Sequence, residues 1–316
     1  MSIDETDQIL DRLELIEDRC ELADDDEREL VLASLRSDDE DVREAAKAAA
    51  NAAIDDALCE ALLDLLADGD ADPEARSGAA IALGPSLELC DVDGFDDEDA
   101  TPPISEEMFT RTRAALKAIY RDAKAPTIVR RRALEAAVRA PEEWQEGAVR
   151  GAWKSGDPEW RVTAIFSMGI LGGFDETIIE AMDDADVDIA CEAVYASMEA
   201  SIESAVPKLI GFARNADADQ SLRLAAIETL GGIGGDLGIA ALEELSADDD
   251  DEIAAAADDA LDMQAAITEL VGVGLDDDDD YEFEDDDADD EDDDDDYEFE
   301  DDDADPEDDE EKEPPN

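Results

Sequence analysis

The sequence of 316 residues contains no histidine. Because histidine is the usual general base beside a serine or cysteine nucleophile, its absence excludes Ser-His and Cys-His catalytic arrangements. Histidine is also a common zinc ligand, and the cysteines that remain are far apart and show no CxxC spacing: Cys20, Cys59, Cys90 and Cys191. The abundant carboxylates form solvated runs without special pairing. We therefore expect that the chain is not an enzyme and holds neither a metal nor a cofactor.

Long apolar segments are also missing. No run of about 18 apolar residues is present that would span a bilayer. The acidic opening, Met1-Ser-Ile-Asp-Glu-Thr-Asp-Gln8, lacks the basic and then apolar pattern of a signal peptide. Together with the unpaired cysteine spacing, these features predict a cytoplasmic protein with reduced thiols.

Positive charge is scarce, with 23 Lys and Arg against 97 Asp and Glu and a formal net charge of -74. Residues 276–316 contain 30 acids and one base, which leaves 67 acids and 22 bases, a net charge of -45, for residues 1–275. Such a surface repels nucleic acid and anionic lipid, so we expect no direct nucleic-acid partner and no membrane. Molar salt shortens the screening length to about 3 Å and removes most of the self-repulsion. We interpret this composition as that of an extreme halophile.

One pattern for the start of a helix occurs four times, at Asp39, Asp72, Asp157 and Asp219. The Asp predicts a helix N-cap, and two copies continue with Pro, which suits the first helical position because no N–H is needed there. An Arg stands four residues after each Asp, and we expect it to face back toward that Asp. Small residues follow, which let helices approach closely, and we expect the next pairs to end the helix: Leu83-Gly84, Met168-Gly169 and Leu230-Gly231.

Weaker copies of the pattern begin at Pro126, Asp186 and Asp251. The seven starts are 29 to 33 residues apart, except for one interval of 54 between Asp72 and Pro126. Amphipathic stretches lie between the starts, for example residues 61–66, 177–182 and 205–212. They predict the first helix of each pair, and the repeated starts predict the second.

This pattern resembles the HEAT-repeat family, and specifically the short HEAT-like repeat found in phycobilin-lyase-type proteins, over about residues 24–270. The resemblance implies an all-α solenoid of about seven helix pairs, whose second helices form a concave surface that holds other proteins. Two copies depart from the pattern, because Ala190 and Ala255 stand where Arg is expected. Any ladder of Asp and Arg is interrupted there.

Three segments lie outside the regular repeats. Residues 1–23 predict a helix with one apolar face that caps the first repeat. The long interval predicts an acidic insertion at about residues 91–105, which breaks the preceding helix at Asp91 and lies as a loop over nearby bases. Residues 271–316 form an acidic tail with two Tyr-Glu-Phe-Glu copies, at Tyr281 and Tyr297. So charged a segment cannot bury enough apolar surface to fold, so we expect it to be disordered.

The charge pattern reverses in residues 111–161, which hold twelve bases and seven acids. All three tryptophans, at 144, 153 and 160, also lie there. The tryptophans are either core residues or, in the case of Trp153, an anchor for a partner. The candidate partner-binding residues are Arg113, Lys117, Arg121, Arg131, Arg132, Trp153 and Lys154.

Three functions are compatible with these features. The first is a scaffold or adaptor that binds a protein or peptide on the concave surface. The second is a chaperone-like role in which the acidic tail shields a basic partner. Resemblance to haloarchaeal HEAT-like proteins implies a third, an adaptor in taxis signalling.

Overall fold

A computed structural model describes residues 3–95 and 100–273. Within these residues the chain is all helical, with no β-strand, and consists of a leading helix followed by seven helix pairs. None of these helices is both long and apolar enough to cross a membrane. The leading helix is α1 (Ile3–Arg19), and the pairs are α2 (Asp25–Ser34) and α3 (Glu40–Ala52), α4 (Asp56–Ala67) and α5 (Pro73–Asp93), α6 (Glu106–Arg121) and α7 (Thr127–Ala137), α8 (Glu143–Lys154) and α9 (Pro158–Leu171), α10 (Asp175–Ala181) and α11 (Val187–Glu199), α12 (Val206–Arg214) and α13 (Gln220–Ile233), and α14 (Asp236–Leu245) and α15 (Asp251–Val273).

The predicted solenoid of seven pairs is confirmed, and the repeated starts belong to the second helix of each pair. The Asp72 side chain caps α5 by accepting a hydrogen bond from the backbone N–H of Glu74 at 2.8 Å. Asp39, Asp157, Asp186 and Asp219 cap their helices in the same way. The last start is shifted by one residue, because Asp250 accepts from the backbone of Glu252. The expected disorder of the acidic tail falls on residues that lie outside the described ranges.

The prediction that the repeated Arg faces its own Asp is wrong. Arg76 instead donates from Nε to the carbonyl oxygen of Leu66 in the last turn of α4, at 3.0 Å. Arg130 and Arg223 donate in the same way to residues ten positions earlier, Tyr120 in α6 and Ala213 in α12. The last carbonyls of a helix have no hydrogen-bond donor within that helix. The guanidinium therefore binds one of these free carbonyls rather than the Asp side chain. In these three pairs the Arg therefore joins the two helices, whereas Arg43 donates to the Ser37 carbonyl between its helices and Arg161 pairs with Asp184 of the next pair.

The prediction that the Leu-Gly and Met-Gly pairs end their helices is also wrong. Gly84, Gly169 and Gly231 lie inside α5, α9 and α13, where a second helix of the next pair approaches closely. A Cβ atom on Gly169 would lie 3.0 Å from the Cα of Ala196, and one on Gly231 would lie 2.7 Å from the carbonyl oxygen of Ala260. These glycines are contact positions, and the helices end later, at glycines with positive φ: Gly94, Gly172 and Gly234.

The second helices form a layer in which neighbours pack directly on each other. Each of α3, α5, α7, α9 and α11 packs against the next, and α1 packs against α3. Helix α13 approaches α15 closely at Gly231 and Ala260. Leu13 and Ile16 of α1 are completely buried in this contact. Helix α1 therefore covers the apolar end of the stack, as a terminal repeat must in a solenoid.

The acidic insertion begins later than the sequence predicts. Helix α5 continues through Asp91–Asp93 because Leu87 and Cys90 remain buried against the stack, and it ends at Gly94. Phe95 then packs on Phe109 of α6 with ring centroids 5.4 Å apart. After residues 96–99, which lie outside the described ranges, Ile104 is buried and Ser105 caps α6. The expected cover of bases by the insertion depends on acids in that undescribed segment.

Candidate binding surfaces

A groove lies on the exposed side of the first three second helices, where α3, α5 and α7 are adjacent. Ile81 and Ile128 are partly exposed and supply apolar surface, and the buried Leu35 lies beneath them. Charged side chains of both signs surround them: Glu40, Arg43, Glu44, Lys47, Glu74 and Arg132. The groove thus combines apolar contact area with hydrogen-bonding groups, which is the composition of protein-binding sites. We call it the second-helix groove.

A buried polar network fixes one side of this groove. Arg131 donates from Nε to the hydroxyl oxygen of Thr163 at 2.9 Å, and that hydroxyl donates to Glu135 Oε1 at 2.6 Å. Glu135 in turn forms an ion pair of 2.5 Å with Arg132. Thr163 is completely buried, and Arg131 and Glu135 are each 7% exposed. The network holds the Arg132 guanidinium in position.

The exposed side of the second helices continues with polar residues on α11 and α13. Burial, reinforced by the charge of Glu135, raises the pKa of Glu192 to about 7 against the opposing charge of Arg132. Tyr195 donates from its hydroxyl to Glu228 Oε2 at 3.1 Å. Burial, with the adjacent Glu228 charge, raises the pKa of Tyr195 to about 12. The carboxyl of Glu192 therefore titrates near neutral pH.

The seven candidate residues from the sequence divide between the two helix layers. Arg113, Lys117 and Arg121 lie on α6, and Trp153 and Lys154 lie on α8, which are both first helices. Arg131 and Arg132 lie on the second helix α7. The Arg131 guanidinium donates a hydrogen bond to Thr163 and forms an ion pair of 2.9 Å with Glu159. The candidates thus contribute to two surfaces.

Two of the three candidates on α6 share a single acid. Glu142 forms ion pairs with Arg113 at 3.6 Å and Lys117 at 3.5 Å, and it accepts a hydrogen bond from Trp144 Nε1 at 2.8 Å. Burial raises the pKa of Glu142, but the Trp144 hydrogen bond and the two positive charges outweigh that effect and lower it. Glu142 is therefore ionised, and its carboxylate already binds Arg113, Lys117 and Trp144.

Aromatic rings and cations alternate beside Glu142. The ring centroid of Tyr120 lies 5.3 Å from that of Trp144 and 6.2 Å from that of Trp160. Three cations lie over these rings at 5.4 to 5.9 Å: Lys117 and Arg121 over Trp144, and Arg130 over Tyr120 and Trp160. We call these six residues the cation–aromatic cluster. Charge and spacing in the sequence indicated the bases, but only the fold brings Tyr120 between the two tryptophans.

Trp153 lies outside this cluster. Its ring is covered by the Arg161 guanidinium at 4.3 Å, and Arg161 also forms an ion pair with Asp184. That hydrogen-bonded pair lowers the pKa of Asp184. Trp153 is half-buried and packs against the core, as Trp144 and Trp160 do. Lys154 is exposed at the end of α8.

Residues 176–262 match the family model for HEAT repeats. Together with the helix-pair architecture, this match shows that the described chain has a HEAT-like solenoid fold. The matched region covers most of the last three helix pairs, and the same helix-pair plan continues through the rest of the described solenoid. The resemblance inferred from the sequence pattern is thus confirmed. No curated protein matches the chain by sequence.

Two solved structures are similar to this chain. One is human deoxyhypusine hydroxylase in complex with glycerol, at 19% identity and a TM-score of 0.38, covering 83% of this chain and 96% of that one. The other is the complex of CpcE and CpcF of phycocyanin lyase from a Nostoc species, at 19% identity and a TM-score of 0.43, covering 78% of this chain and 94% of that one.

The expectation that the chain is not an enzyme is contradicted by these similarities. Both similar proteins, a hydroxylase and a lyase, are named for enzymatic activities. The absence of histidine excludes nucleophile arrangements that depend on it, but a fold can carry other chemistry in other sites. The broader exclusion of enzymes was too strong.

Proposed function

We propose that this HEAT-like solenoid is a scaffold that binds a protein partner along its second helices. The observation that carries the proposal is the second-helix groove, where apolar side chains lie between charged groups of both signs. A protein segment offers the same mixture of apolar and polar groups, and interfaces of this kind need both. The partner would lie across α3, α5 and α7.

The rigidity of the groove supports the proposal. The second helices pack directly on each other, and the buried network through Arg131, Thr163 and Glu135 holds Arg132 at the groove. A surface that is already ordered loses little side-chain entropy when it binds.

Since all four cysteines are free, we infer a cytoplasmic location, where thiols stay reduced.

Site-specific photo-crosslinking tests the groove. A benzophenone amino acid replaces Ile128 in the groove, and the matched control replaces Glu176, which is exposed on the first helix α10. After irradiation in cells, we expect one discrete protein adduct from position 128 and none from position 176. Adducts of equal yield from both positions, or from neither, contradict the proposal.

The other two functions remain predictions. Shielding of a basic partner by the acidic tail involves residues outside the described ranges, and it is distinguished by deleting residues 276–316. A scaffold retains its adduct at position 128 after this deletion, whereas a shielding chaperone loses its partner. The taxis role is a narrower form of the scaffold, and the identity of the crosslinked protein decides it.

A further inference from the structure

The cation–aromatic cluster holds guanidinium groups that the acids of the protein do not neutralise. Among the described residues, neither Arg121 nor Arg130 forms an ion pair, and each instead lies over aromatic rings. The nearest acids along the chain are engaged elsewhere. Glu142 pairs with Arg113 and Lys117. Asp122 accepts a hydrogen bond from the backbone N–H of Lys124 at 2.9 Å.

This arrangement is unusual for a chain with 97 acids and 23 bases. Most other bases on the helices are paired with carboxylates, including Arg139 with Glu88 and Arg150 with Glu146. Both guanidinium groups also stabilise the end of α6, because Arg121 lies in its last turn and Arg130 donates to the carbonyl oxygen of Tyr120 there. These contacts account for the positions of the two groups, but not for the absence, among the described residues, of an ion pair between either of them and a carboxylate.

We propose that the cation–aromatic cluster is a docking surface for an acidic segment of a partner protein. Guanidinium groups bind carboxylates with paired hydrogen bonds. Lys117 and Arg113 share the single negative charge of Glu142, so one further positive charge remains beside the two guanidinium groups. The half-buried rings of Tyr120, Trp144 and Trp160 provide a rigid platform beside these charges. Trp, Tyr and Arg are the residues that contribute most to binding at protein interfaces.

The charge of the whole chain favours a short acidic segment over a nucleic acid. A nucleic acid is charged along its whole length, so it would meet the net charge of -45 on residues 1–275 as well as the cluster. A protein segment can place a few carboxylates on the cluster and direct the rest of its chain away. The cluster lies on α6, the start of α7, α8 and α9 and shares no residue with the second-helix groove, so the scaffold would hold a second partner there.

Tryptophan fluorescence gives a direct readout, because all tryptophans of the chain are at positions 144, 153 and 160. The full-length W153F variant reports only on the two cluster tryptophans. A short synthetic peptide of Asp, Glu and Gly, without aromatic residues, is titrated at constant potassium chloride concentration. We expect a saturable change in emission, whereas an unchanged spectrum at all peptide concentrations overturns the proposal.

Charge variants locate the binding. The double variant Arg121→Gln and Lys124→Gln removes one base of the cluster and one base three residues further along the chain, and both are exposed and form no ion pair among the described residues. The control, Arg12→Gln and Arg36→Gln, removes the same charge from exposed positions at the beginning of the stack. We expect peptide affinity to fall at least about threefold in the first variant, as the loss of two exposed ionic contacts implies, and to change little in the control.

Three outcomes overturn the proposal. Equal affinities in the wild type and the first variant show that the cluster does not bind the peptide. An equal loss in the control shows a general charge effect. A single-stranded oligonucleotide that binds more tightly than the peptide, and is weakened by the same variant, assigns the surface to nucleic acid. None of these results affects the groove proposal, since no groove residue is changed.

Discussion

Arg76 Nε donates a hydrogen bond of 3.0 Å to the carbonyl oxygen of Leu66, and both residues are almost completely buried. Leu66 lies in the last turn of α4, where its carbonyl has no partner within the helix. Arg130 with Tyr120 and Arg223 with Ala213 repeat the contact over the same separation of ten residues. This recurring bond fixes how the second helix of a pair starts relative to the end of the first.

Replacing Arg76 by Met should destabilise the protein. Met retains the apolar stem, so the main loss is the hydrogen bond from a charged donor, and the buried Leu66 carbonyl is left without a partner. We expect the free energy of unfolding to fall by about 1–3 kcal/mol. Arg36→Met is the matched control, because Arg36 is exposed and its guanidinium donates to the carbonyl oxygen of Leu32 in the preceding helix α2. Urea unfolding followed by circular dichroism measures both, and equal effects would contradict this role of Arg76.

Gly231→Ala should also destabilise the protein, although Ala is the better helix former. The new Cβ would lie 2.7 Å from the carbonyl oxygen and 2.9 Å from the Cβ of Ala260, so α13 and α15 must separate. We expect a loss of about 1–3 kcal/mol from this overpacking. Gly147→Ala in α8 is the control, because nothing lies within 4 Å of its added Cβ. It should gain about 0.5–1 kcal/mol in the same unfolding measurement, and stabilisation by both changes would show that the close approach does not matter.

The second helices could be located from the sequence because their start signals are local. An Asp side chain caps a helix by accepting hydrogen bonds from backbone amides only two or three residues away, as at Asp72 and Asp157. Both partners of the bond therefore lie within one short stretch of sequence, and the helix start can be predicted from that stretch alone. The partners of Arg76 and Gly231 belong to other helices. The sequence showed that these residue types recur, but their contacts depend on how the pairs stack, and both roles were predicted incorrectly.

For the binding surfaces, the sequence likewise predicted which residues accumulate but not which residues they contact. The reversal of charge in residues 111–161 indicated where bases accumulate. It did not indicate that Arg131 is buried against Thr163 or that Arg113 and Lys117 share Glu142, since both facts depend on contacts between helices. Aromatic spacing likewise did not predict that Tyr120 would contact Trp144 and Trp160.

Salt should stabilise the protein. The net charge of -45 on residues 1–275 produces repulsion that dilute buffer leaves largely unscreened. The exposed ion pairs, such as Arg111 with Glu60, contribute little, so their weakening by salt is a smaller effect. We expect Tm to rise by about 5 °C or more between about 0.1 M and 1 M potassium chloride, measured by circular dichroism. Sucrose of equal osmolality controls for general solvent exclusion, and a Tm that is independent of salt would refute the interpretation as a halophilic protein.

Glu192→Gln should stabilise the protein at alkaline pH and lose that advantage in acid. The folded pKa of Glu192, about 7, lies above the ordinary value of 4.5 because burial and the charge of Glu135 outweigh Arg132. Between these two pH values the folded chain binds more protons than the unfolded chain, so the contribution of Glu192 to stability falls as pH rises. Above pH 7 the wild type keeps a buried carboxylate beside another carboxylate, whereas the amide of the variant carries no charge.

The measurement compares the wild type, Glu192→Gln and Glu199→Gln by urea unfolding at pH 5 and pH 8. Glu199 is the control, because it is exposed on the same helix, α11. We expect Glu192→Gln to gain on the order of 1 kcal/mol over the wild type when pH rises from 5 to 8, which corresponds to about one unit of pKa difference. The difference between Glu199→Gln and the wild type should stay constant. If Glu192→Gln is no more stable relative to the wild type at pH 8 than at pH 5, Glu192 is ionised at no cost, and the repulsion from Glu135 is fully offset by Arg132.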